Sequence, residues 1–123
     1  MHGTTLAGKR VLIAEDEPVV AMDHAAQLVH AGAKIVATSA TVQGAVSCLE
    51  EKPIDVAVID FVLADGNSER LQAALRRINI PFIVVSAYPR ALVRTEPGQE
   101  ILSKPVTGEL LCRRVEAVCK LAA

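Results

Sequence analysis

Short apolar runs alternate with longer amphipathic stretches along this chain. The runs at 10–14, 34–38, 54–59, 82–85 and 100–103 are too short for buried helices. They lack in/out alternation, which suits strands covered on both faces. Helical spacing lies between them. Pro18 is a good first helical residue, and Met22, Ala25, Ala26 and Val29 follow at helical intervals up to Gly32. Thr41 can cap a second helix that runs to about Glu51 and is stopped by Pro53. Asn67 or Ser68 can cap a third, with Leu71, Ala74, Leu75 and Ile78 on its inner face. The last helix, from Thr107 or Gly108, places Leu111, Val115, Val118 and Ala122 on one face. Between Ser86 and Glu100, Pro89, Pro97 and Gly98 interrupt the pattern, and Ala91-Leu92-Val93 allows a short or irregular fourth helix.

Five βα units predict an α/β fold: a doubly wound, five-stranded parallel sheet with right-handed crossovers. The flavodoxin-like strand order 2-1-3-4-5 sets strands one and three side by side at the switch point, where ligands bind at the carboxyl ends. Those ends carry charge. Asp60 closes the run Ile54-Asp55-Val56-Ala57-Val58-Ile59, Glu15-Asp16 follows Arg10-Val11-Leu12-Ile13-Ala14, and Lys104 follows the fifth run. A carboxylate at the end of a buried strand is costly unless something uses the charge. Three such clusters at three strand ends suggest one site.

Length and composition narrow the classes. The 123 residues suit one domain, structured over about 9–121, and the 2% aromatic content leaves Val, Ala, Leu and Ile to build the core. A net charge of −1 without a basic run gives no case for nucleic acid. The apolar stretches are too short to span a bilayer, and no signal peptide is visible, so a cytoplasmic location is expected. Cys48, Cys112 and Cys119 lack metal-ligand spacing and read as reduced, packed thiols.

Clustered carboxylates repel, and a divalent cation relieves that. All-oxygen ligation without His or Cys points to magnesium or manganese. Beside such an ion an aspartate can attack phosphorus and form an acyl phosphate. Lys104 can reach one phosphoryl oxygen as a point charge, and Ser86 can donate to another past the small Ala87. The set of acid pair, acid, hydroxyl and lysine, in strand order one, three, four and five, resembles the receiver domain of bacterial response regulators. The matching motifs are Val11-Leu12-Ile13-Ala14-Glu15-Asp16-Glu17-Pro18, Val58-Ile59-Asp60, Val85-Ser86-Ala87 and Ser103-Lys104-Pro105. The resemblance covers essentially the whole chain. It implies Asp60 as phosphoacceptor, Asp16 as a Mg2+ ligand, Glu15 on a metal-bound water and the Val62 carbonyl completing the protein ligands. It implies Ser86 and Lys104 on the phosphoryl group and a cis bond before Pro105. It further implies a histidine kinase or histidine phosphotransfer protein as donor, a downstream protein partner, and a signalling module rather than a turnover enzyme.

The chain departs from the usual receiver pattern after Asp60. Ala64 stands where most receivers have proline, and Asp65-Gly66 comes two residues early. Ile101 occupies the place of the switch aromatic. Pro81-Phe82-Ile83-Val84-Val85-Ser86-Ala87-Tyr88 resembles the Pro-Phe-x-Phe-Ala-Thr-Gly-Tyr motif of a group of single-domain receivers. In that group Tyr88 would replace the missing aromatic, and the segment from Ser86 to Gly98 would respond to phosphorylation. The final helix ends at the chain terminus, so no output domain is expected. Two other readings compete. One is a phosphorylation-independent pseudo-receiver that docks a partner. The other is an aspartyl-phosphate phosphatase, against which Val62 stands where a second catalytic acid would be. His24 reads as a surface histidine of the first helix, and Asp65 as a turn residue rather than a spare metal ligand.

Overall fold

The computed structural model describes residues 5–88 and 99–122. Strands β1 (Arg10–Ala14), β2 (Lys34–Ser39), β3 (Val56–Asp60), β6 (Phe82–Ser86) and β7 (Ile101–Ser103) form a parallel sheet in the order β2-β1-β3-β6-β7. Helices α1 (Pro18–His30), α2 (Val42–Glu51), α3 (Glu69–Arg77) and α4 (Gly108–Ala122) cover it. This is the flavodoxin-like order expected, counted over the main sheet. A two-residue hairpin, β4 (Val62–Leu63) with β5 (Gly66–Asn67), was not foreseen. Gly66 sits at φ 131°, a conformation that L side chains rarely adopt, and this lets the chain reverse within so short a loop. The short or irregular fourth helix expected after Ser86, and most of the 86–98 segment, fall on residues outside those described.

The continuous apolar runs have a structural cause. Val11, Ile13, Val56, Val58, Ile83 and Val85 pack under α1 and α4 with Leu28, Leu111 and Val115. Their alternating neighbours Leu12, Ala14, Ala57, Ile59, Phe82 and Val84 pack under α2 and α3 with Val42, Ala45, Leu71 and Leu75. Every position of the three central strands except Arg10, at the start of β1, is therefore buried, so no polar face exists to break the run. Apolar area removed from water on both faces, about 25 cal/mol per Å², is the main force holding the layers together.

Two helix faces differ from expectation. On α1 the buried side chains are His24 and Leu28, with Ala21 and Ala25 packed beside them, while Met22 and Val29 are exposed. Val19, Met22 and Val29 give α1 a second apolar stripe, so periodicity alone could not choose the inner one. On α3, Leu71 and Leu75 face inward as expected, but Gln72 joins them and Ile78 lies exposed just past the helix. The Gln72 amide donates to Ser68 Oγ at 3.3 Å, which gives this buried polar group a partner. Of the two cap candidates, Ser68 holds the cap position, but Asn67 Oδ1 accepts from the Glu69 N–H. Thr41 caps α2 through Gly44 N–H, and Thr107 caps α4 through Leu110 N–H.

Candidate functional site

Parallel register brings the charged residues together. Ala14 lies beside Ile59, Asp60 beside Val85, and Ser86 beside Ser103. Glu15, Asp60, Ser86 and Lys104 therefore emerge from four adjacent strands at the same level. Lys104 Nζ lies 2.6 Å from Glu15 Oε1 and 2.7 Å from Asp60 Oδ2, with Glu17 at 3.7 Å. Glu15 and Asp60 are buried, whereas Asp16 is exposed at the rim. Carboxylate oxygens of Glu15, Asp16 and Asp60 lie within 4.8 Å of one another. This set of hard oxygen donors fits a small divalent cation, and the added positive charge would offset their repulsion.

The electrostatics follow from burial. Burial pushes the Glu15 carboxyl above the usual glutamate range, and the Asp60 charge adds to this. The Lys104 bond and the Glu17 N–H, 3.1 Å from Glu15 Oε2, work against it. For Lys104, burial disfavours the ammonium, but bonds and charge from Asp60 and Glu15 outweigh it and raise the pKa. The lysine is thus locked in its charged form. Val62 N–H reaches Asp60 Oδ1 only at 3.4 Å, so that oxygen is the more loosely held of the two.

Ser86 is buried, and its Oγ accepts the Tyr88 N–H at 3.0 Å. A hydroxyl that accepts one bond still carries a proton to donate. Its carbonyl accepts the Lys104 N–H at 2.8 Å, which ties the hydroxyl strand to the lysine. The Lys104-Pro105 bond is cis, as the resemblance implied. Tyr88 is half exposed, and Ile101 is partly buried at the edge of the sheet. A shallow, mostly apolar cavity of about 340 Å³ adjoins the acids between Glu15, Met22 and Ser39.

No family model matches the chain. It is 33% identical over 101 residues to the phyllosphere-induced regulator PhyR of Methylorubrum extorquens, an alignment covering 77% of this chain and 38% of that protein. The crystal structure of the response regulator PhyR from Brucella abortus superposes with a TM-score of 0.83 at 27% identity, over 94% of this chain and 49% of that one. A response regulator receiver protein from Sinorhizobium medicae superposes with a TM-score of 0.84 at 25% identity, over 96% of this chain and 99% of that one. The chain has the fold of response regulator receiver domains and is similar to them in sequence. It spans less than half the length of the two PhyR proteins.

In this chain, Asp60, Glu15, Asp16, Ser86 and Lys104 gather at one end of the sheet as the sequence implied, with Val62 two residues beyond Asp60. Two further residues were missed. His24 is buried rather than on the surface, within electrostatic reach of Lys104 and Asp60. Burial holds its pKa below the usual range, and Lys104 adds to this, while Asp23 and Asp60 oppose. Its place at three residues from Ala21 and four from Leu28 was the available signal. Asp65 is a turn residue as expected, yet its carboxylate also caps α2, accepting from Val42 N–H at 2.6 Å and Gln43 N–H at 3.1 Å. A contact across 23 residues leaves no local sequence signature. Among the described residues no helix is long and apolar enough to cross a membrane.

Proposed function

We propose that this receiver accepts a phosphoryl group on Asp60 from a phosphohistidine, on a histidine kinase or a histidine phosphotransfer protein, and signals by protein contact. The observation that carries the reading is the buried ammonium of Lys104 seated on both Asp60 and Glu15. An Asp60 carboxylate oxygen attacks phosphorus, the P–N bond breaks, and its electrons leave with the imidazole. The product is an acyl phosphate. Lys104 meets one phosphoryl oxygen with its fixed charge, and the Ser86 hydroxyl donates to another. Glu15, Asp16, Asp60 and the Val62 carbonyl would hold Mg2+, which when bound neutralises charge on the transferring phosphoryl group. The transfer leaves the phosphoryl group on the module's own Asp60 rather than on a second substrate, so the module signals rather than turns over substrate. A cytoplasmic setting suits a phosphohistidine donor, and partner and signal follow from whichever protein contacts the phosphorylated state.

The test is intact mass. Incubation with Mg2+ and a small acyl-phosphate donor is expected to add one phosphoryl group to the wild type and none after Mg2+ is chelated. No added mass, under conditions that label a control receiver, would favour a phosphorylation-independent docking module.

A further inference from the structure

We infer that Asp65 is a positioning residue for the metal-binding loop: by capping α2 it holds the β4–β5 hairpin, and with it the Val62 backbone, against the acid cluster. The inference rests on the proposed reading, in which the Val62 carbonyl is a metal ligand.

The loop after Asp60 is short and has few means of holding its shape. Two ladder pairs, Val62 with Asn67 and Leu63 with Gly66, form the hairpin, and an isolated hairpin of that length does not persist in water. Its base is anchored, since Phe61 N–H donates to the Val85 carbonyl at 2.9 Å and Ser68 N–H to the Phe61 carbonyl at 2.7 Å. Its tip is anchored on α2. Ala64 N–H donates to the Ala40 carbonyl at 3.0 Å, and both Asp65 carboxylate oxygens accept from the first turn of the helix. Val62 lies on the arm between these two anchors.

The helix end is built to receive that carboxylate. The first amides of a helix have no partner within it. Here Val42 and Gln43 N–H go to Asp65, Gly44 N–H goes to Thr41 Oγ1, and Ala45 N–H begins the helical ladder on the Thr41 carbonyl. The partial positive charge of the helix start favours an anion there. The same bonds, that from Val42 foremost, hold the Asp65 carboxyl below the usual aspartate range, so the cap stays ionised at neutral pH.

The helix end is in turn fixed to the acids. Glu15 N–H donates to the Ser39 carbonyl at 2.9 Å, and Thr41 N–H donates to Ser39 Oγ at 3.2 Å. A Cβ on Gly44 would fall 2.4 Å from Ser39 Oγ, so the first turn of α2 sits hard against the end of β2. Asp65 therefore closes a ring that runs from Glu15 through Ser39 and α2 to the hairpin, and back through Val62 to Asp60. Mg2+ demands near-ideal octahedral geometry at about 2.0–2.1 Å from its ligands, so a carbonyl on a loosened arm is a poor ligand. An ordinary surface helix cap would add stability and leave metal affinity alone. That difference separates the two roles.

The experiment uses the full chain with Asp65→Ala and Asp65→Asn, measuring Mg2+ affinity by calorimetry and amide exchange with and without Mg2+. Asp65→Ala is expected to weaken Mg2+ binding by about 10-fold, as loss of a supporting partner of a metal site does. Asp65→Asn removes the same charge but keeps an acceptor, and is expected to lose less. Coupling is reciprocal, so Mg2+ is expected to slow exchange of the Val42 and Gln43 amides in the wild type and not in Asp65→Ala. Unchanged affinity in folded Asp65→Ala would overturn the inference. Equal losses in both variants, with Val42 and Gln43 exchange indifferent to Mg2+ in the wild type, would also overturn it and assign the effect to charge alone. Should Asp65→Ala fail to fold, Asp65→Asn and the wild-type exchange response decide in the same way. A wild type that binds no Mg2+ is a separate result and would remove the functional reading beneath the inference.

Discussion

Lys104→Ala tests the electrostatics of the site before any phosphoryl group arrives. It removes the cation that Glu15 and Asp60 share and leaves two buried carboxylates together. At a separation of 4.8 Å, the outer limit for these oxygens, and an effective dielectric constant of about 20, their repulsion is roughly 3.5 kcal/mol. Protonating one acid sets a ceiling on that cost. Starting from an ordinary glutamate pKa, the ceiling is about 3.7 kcal/mol at about pH 7 and about 1 kcal/mol at about pH 5. Destabilisation near 3 kcal/mol at neutral pH is therefore expected, in line with about 3–5 kcal/mol for breaking a buried pair. The sign follows from proton uptake. A carboxyl raised in the folded state binds protons on folding, so stability rises as pH falls towards its unfolded value. The assay is urea unfolding followed by circular dichroism across this pH range, in chelator and in Mg2+. The gap between wild type and variant should narrow as pH falls, and narrow again in Mg2+, which binds the folded acids more tightly once the competing Lys104 ammonium is gone. In a thermal scan at neutral pH the same loss is a drop of roughly 10 °C. A gap that is independent of pH and Mg2+ would refute the reasoning.

His24 is buried with a depressed pKa, so the unfolded chain takes up its proton first and the wild type should lose stability as pH falls below about 6.5. His24→Leu should flatten that limb between about pH 7 and about pH 5 in thermal scans, and an unchanged slope would show that His24 does not titrate there. At the proposed phosphorylation site, the apolar Val62 side chain cannot orient an attacking water, so Val62→Asn is expected to lose its phosphoryl group faster than the wild type. Phosphate release timed after donor removal checks this, and equal or slower release from the variant would contradict it.

The three central strands were legible because β1, β3 and β6 are buried on both faces, which leaves a run of apolar letters that no amphipathic helix produces. The site was legible for a related reason. Glu15, Asp60 and Lys104 interrupt or follow those runs where a charge would be costly unless it met another. What escaped was decided by packing or by distant contacts. Val19, Met22 and Val29 mimic an inner face on α1, while His24, an ionisable residue, takes the inner position. Asp65 looked like a turn residue because its partners on α2 lie more than 20 residues away. Arg10 was read only as the start of a strand. It donates from its backbone and guanidinium to Asp55, whose carboxyl is pushed down to about 2 chiefly by the side-chain bond. That pair clips β1 to the entry of β3 at the end of the sheet away from the site.

The central claim is that Asp60 carries the phosphoryl group. Borohydride reduces an acyl phosphate and marks the residue that bore it, so reduction of the phosphorylated protein followed by peptide mass mapping tests the claim most directly. The account predicts reduction confined to Asp60, dependent on Mg2+ and lost in Asp60→Asn. A label on Glu15 or Asp16, or one that survives in Asp60→Asn, would contradict it.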